Sequence, residues 1–77
     1  MTRSISAIAA DIAAIWKPSV HAKPYLHAMH SLQCITDCYY LDSGRSIVLY
    51  FLANARGFRG AEAQKLKAEL NFHLKGN

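Results

Sequence analysis

Seventy-seven residues make one domain, residues 1–77, and a chain this short hides only about 60% of its unfolded surface, so it leans on every contact or on a second subunit. With 52% of residues hydrophobic and 18% charged, the composition excludes a disordered chain and raises the expectation that oligomerisation closes off some apolar surface. A net charge of +4 is ordinary for a small domain, and the nine Lys and Arg form no block of like charge, which excludes a polybasic arm.

In chain order, Ser4 to Lys17 reads as the first helix. Ile5, Ile8, Ile12, Ile15 and Trp16 fall in one stripe at about 100° per residue. Ser4 or Thr2 is its expected N-cap, and Pro18 stops it. Pro24 suits the first turn of a second helix running to about Ile35, with Tyr25, Leu26, Met29, Leu32 and Ile35 on its apolar side. Residues 36–41 are a linker whose two tyrosines are expected to pack over a helix end. Asp42 is the expected N-cap of a third helix. A β-hairpin through Tyr39, Asp42–Ser43–Gly44 and the run beginning at Ser46 competes with that helix, because Ile, Val, Tyr and Phe favour strands. The helix is preferred, since the run continues into helix-forming residues and the turn is not a favoured two-residue one.

In the third helix Ile47, Val48, Phe51, Leu52 and Ala55 make one wide face, which Leu49 and Tyr50 extend on both flanks. A helix apolar nearly all round belongs at the centre of a core. Gly57 is expected in the left-handed conformation after it. The turn from Arg56 to Gly60 leads to a fourth helix, Ala61 to about Lys75, with Ala63, Leu66, Leu70 and Leu74 on one face. The predicted fold is an all-α bundle of four short helices with the third central. The longest apolar run, residues 47–53, falls well short of the roughly 20 a membrane span needs, and Asp11 interrupts any leader-like stretch. A cytoplasmic protein without a membrane segment is expected.

The chemistry-bearing residues are few. His27, His30, Cys34 and Cys38 would share one side of a continuous helix, and His and Cys are zinc ligand types. The four span about 16 Å of helix, too far to converge on one ion, so a metal site is not favoured and no cofactor is called for. Cys34 and His30, one turn apart, have no oxyanion site or pocket beside them, and Asp37 and Asp42 read as caps. The chain therefore reads as non-enzymatic. Arg45, Arg56, Arg59, Lys65 and Lys67 are candidate contacts for a phosphate or an acidic protein. Nucleic-acid binding through this basic turn and helix is the alternative to a protein partner. Phe72 stands with Ala68 and Lys65 on the side of the fourth helix away from its leucines. It either packs on the first helix or marks an interface to another subunit or partner, and a homo-oligomer closed through Phe72, Ala68 and Lys65 is expected.

The segments PYLHAMHSL, DSGRSIVLYFLANA and KAEL, and the turn Phe58-Arg59-Gly60, resemble small helical proteins encoded in phage and prophage genomes. There the turn reads Trp-Arg-Gly. The resemblance covers Pro24 to Leu70, carries no catalytic motif, and implies a compact accessory protein of bacterial or viral origin.

Overall fold

The computed structural model describes residues 3–35, 37–39 and 42–75, with the side chains of Cys38 and Tyr39 outside the description. The described residues form α1 (Ile5–Ile15), α2 (Lys23–Met29), β1 (Cys38–Tyr39), β2 (Asp42–Ser43), α3 (Gly44–Ala53) and α4 (Ala61–Lys75). The expected packing of Tyr39 and Tyr40 over a helix end lies outside the described residues.

Helix α1 starts as expected: the Ser4 side chain accepts from the Ala7 N–H (3.2 Å). Ile5, Ile8 and Ile12 are fully buried, but Ile15 is 53% exposed and Ala9 is buried instead. At about 100° per residue, Ile15 falls at one edge of the stripe and Trp16 lies nearer its centre. Trp16 stacks on Phe58 at 5.0 Å between ring centroids and meets Phe51 edge-on at 6.1 Å. These aromatic contacts lock the end of α1 against α3 and the turn before α4.

The second helix is shorter than its sequence pattern suggests. It ends at Met29, and the chain continues through tighter bonds of the i→i+3 type from His30 to His27, Ser31 to Ala28 and Leu32 to Met29. The physical reason is Asp37, whose Oδ2 accepts from the N–H groups of Gln33 (2.8 Å) and Cys34 (3.3 Å). A short acidic side chain that captures nearby amides diverts the backbone from the helix. Leu32 and Ile35 stay buried all the same.

That diverted segment seats two other helices. The carbonyls of Leu32 and Gln33 accept from Ser6 and Ile5 at the start of α1, and those of Ile35 and Asp37 accept from Arg45 and Gly44 at the start of α3. Helix N-termini carry amides with no partner inside the helix, so this turn satisfies two at each end. Ser43, not Asp42, is the N-cap of α3, accepting from the Ser46 N–H (3.2 Å). Among the described residues the hairpin alternative is present as the two-residue pair β1–β2, Cys38 opposite Ser43 and Tyr39 opposite Asp42.

Helix α3 places Ile47, Val48 and Phe51 in the core, with Phe51 among its largest fully buried side chains. Leu49 and Tyr50 do not extend the buried face; they are 48% and 53% exposed, more than 100° round the helix from its centre. Helix α2 packs on α3, and α1 packs on both α2 and α4. Buried side chains from all four helices make one cluster, which Phe58 joins from the turn. The radius of gyration, 11.0 Å, matches the roughly 11.5 Å of a compact chain this long. Positive φ falls at Gly60 (107°) and not at Gly57, so the left-handed step comes just before α4 rather than just after α3.

Candidate functional site

Helix α4 rises about 22 Å over its fifteen residues, and the five basic candidates are strung along it rather than gathered. Arg45 reaches the far end, where its Nη2 donates to the Leu74 carbonyl (3.3 Å). A cation there complements the negative helix terminus. Arg56 and Arg59 lie at the other end, exposed in the turn before α4, with Arg59 Nε donating to the Arg56 carbonyl (3.3 Å). Lys67 is engaged within the fold: its Nζ donates to the Ala55 carbonyl (2.9 Å) and lies 5.7 Å from the centroid of the Phe58 ring. It fastens the end of α3 to α4. Lys65 is exposed and borders a polar depression with Arg3, Asp11, Glu62 and Glu69.

Arg3 went unnoticed in the sequence beyond its charge. Its Nε and Nη2 donate to the two carboxylate oxygens of Glu69, both at 2.9 Å, and Nη1 donates to Asp11. His73 Nε2 donates to the Arg3 carbonyl (2.6 Å). The hydrogen bonds to Glu69, and then to Asp11, raise the guanidinium pKa still further above its ordinary value. Arg3 therefore straps the start of α1 to α4. Asp11 stands 8 positions away, but Glu69 and His73 stand 66 and 70 positions away, and no local pattern could have pointed to those two.

Of the histidine and cysteine candidates, His27 lies on α2 and His30 at its C-cap, both exposed, while Cys34 is half-buried in the turn beyond. The continuous helix that would have aligned them stops at Met29. The Cys38 side chain lies outside the described residues. Among the described residues no group of three or more His, Cys, Asp or Glu is placed to hold a metal ion. Asp37 is a turn cap, and Asp42 is exposed in β2. No helix of the described residues is long and apolar enough to cross a membrane.

Phe72 is 59% exposed and is not among the partly buried hydrophobic side chains packed against the core. It lines a shallow, open groove with Ala68, Asn71, Leu74 and Lys75. Ala68, Asn71 and Lys75 are exposed beside it, and Lys65 sits one turn before Ala68 on the same side of the helix. Helix α4 meets α1 and α3 through Ala63, Leu66 and Leu70, on its opposite side. The outer side thus carries one large aromatic amid small and cationic residues, an arrangement that can bury an apolar side chain. Comparison with protein-family models, curated proteins and solved structures finds no match to this chain.

Proposed function

We propose that the chain is a non-enzymatic interaction module, an accessory protein of the phage or prophage type, which docks a protein partner on the outer side of α4. The observation that carries this reading is Phe72, an aromatic 59% exposed on a helix whose other side already fills the core. Burying a large apolar side chain is worth about 1.5–3 kcal/mol, and aromatic anchors dominate interface energetics. The fold gains nothing from leaving it in water, whereas a partner surface would gain from covering it. A second copy of the chain is one such partner, and light scattering on the purified protein reads whether it forms.

A photo-crosslinking phenylalanine analogue placed at position 72 in the producing cells tests the reading. The expected result is a discrete protein adduct from position 72 and none from position 20, where Val20 is 79% exposed in a turn. Equal or absent adducts at both positions would remove the outer side of α4 as a docking surface.

A further inference from the structure

Resting on that docking reading, the charge and size of the surface narrow the occupant. We infer that the outer side of α4 receives a single acidic, amphipathic helical segment of another protein rather than a second copy of this chain. Phe72 stands between two exposed lysines: Lys75, one turn after it, lines the same groove, and Lys65, two turns before it, also borders the depression that holds Asp11, Glu62 and Glu69. The nearest carboxylate, Glu69, is turned to the side and held at both oxygens by Arg3. Glu62 lies about 15 Å along the helix from Phe72. At the Lys75 end, Arg45 adds another cation at the Leu74 carbonyl. An apolar side chain entering beside Phe72 and Ala68 with carboxylates on its flanks would meet Lys65 and Lys75.

Two simple registers of a second copy set like charges face to face. Paired antiparallel so that Phe72 covers Ala68 of its mate, the two helices bring Lys65 opposite Lys75 at both ends. Paired in parallel, each lysine meets its own counterpart. Like charges facing each other across an interface oppose association. The strip is also small: about 22 Å long and one helix wide, it offers a few hundred Å² at most. A stable globular interface buries about 800 Å² per partner. An area of that size suits one helix laid along α4 in a weak, reversible complex.

The test uses the intact protein and two synthetic probes, a fluorescent helical peptide with a leucine stripe flanked by glutamates and its lysine-flanked counterpart. In anisotropy titrations at low salt the glutamate peptide should bind about tenfold tighter or more, with the gap narrowing as salt screens the charges. Phe72→Ala should weaken its binding by about tenfold or more. Lys65→Glu combined with Lys75→Glu should reverse the preference between the probes. Equal binding of the two peptides, or no reversal, overturns the acidic partner; if Phe72→Ala still weakens binding, the docking reading stands. Binding of neither peptide, with a dimer that Phe72→Ala dissolves, overturns it in favour of a second copy. Binding of neither, with a monomer and no crosslink at position 72, sinks both.

Discussion

A Cβ at position 44 would stand 3.0 Å from the carbonyl oxygens of Cys34 and Asp37 and from the Ile35 Cα, all backbone atoms that cannot move aside alone. Gly44→Ala should therefore destabilise by about 1–3 kcal/mol, the cost of overpacking a tight site. Gly60→Ala has open space but a φ of 107°, and backbone strain of that kind costs about 1–3 kcal/mol. Gly57→Ala meets nothing within 4 Å at a φ outside the left-handed region, so its effect should stay within about 0.5 kcal/mol. Urea titrations of the three variants check the order, and a large loss at position 57 would show that the turn is wrongly understood. The phenylalanines divide the same way. Phe51→Ala, from 0% exposure, should cost about 3–5 kcal/mol, while Phe72→Ala should leave the urea midpoint nearly unchanged. That contrast separates a docking residue from a core residue before any partner is known.

At the scale of elements, the turn from Leu32 to Asp37 matters most, because it serves the N-termini of both α1 and α3. Asp37→Ala removes the acceptor of two backbone amides and should cost about 0.5–2 kcal/mol, with Asp37→Asn recovering part of it through its remaining amide oxygen. Equal losses for the two variants would place the effect in charge rather than in capping. This turn is also where the sequence pattern misleads. Leu32 and Ile35 continue the three-residue spacing of Leu26 and Met29, so spacing alone extends α2 to residue 35, although at about 100° per residue Ile35 falls on the side away from Leu26. The capture of two amides by Asp37 breaks the helix without altering which residues are buried. Some local signals suffice: Ser4 caps α1, although the helix ends at Ile15 and not at Lys17 as expected from Pro18, and the Ala63–Leu66–Leu70 stripe marks α4 with the bounds observed. Phe72 is legible as an aromatic off that stripe. The uses of Arg45 and Lys67 are not, since each binds a carbonyl at the end of another helix, twenty-nine and twelve positions away. The Arg3 strap is the extreme case.

For the whole molecule, the distribution of charge bears on nucleic acid. Arg45 lies at one end of α4, Arg56 and Arg59 at the other, and Lys67 is held by Ala55 and Phe58. Arg56, Arg59 and the exposed Lys65 as phosphate contacts would give a salt slope of about −2.7 in log K against log salt, where proteins making 6–10 phosphate contacts show far steeper ones. Duplex DNA is expected to bind no tighter than the nonspecific range of roughly 10⁻⁴–10⁻⁶ M at physiological salt. Tight, steeply salt-dependent binding lost on Arg56→Ala or Arg59→Ala would move the functional surface from the outer side of α4 to the turn before it. The central claim, that the molecule docks a partner along that outer side, is read most directly by amide shift mapping of the isotope-labelled protein titrated with the glutamate-flanked helix. Shifts concentrated at Lys65, Ala68, Asn71, Phe72 and Lys75, and absent in Phe72→Ala, are the predicted result. Shifts centred instead on Ile15, Phe58 and Arg59, or none anywhere, would contradict it.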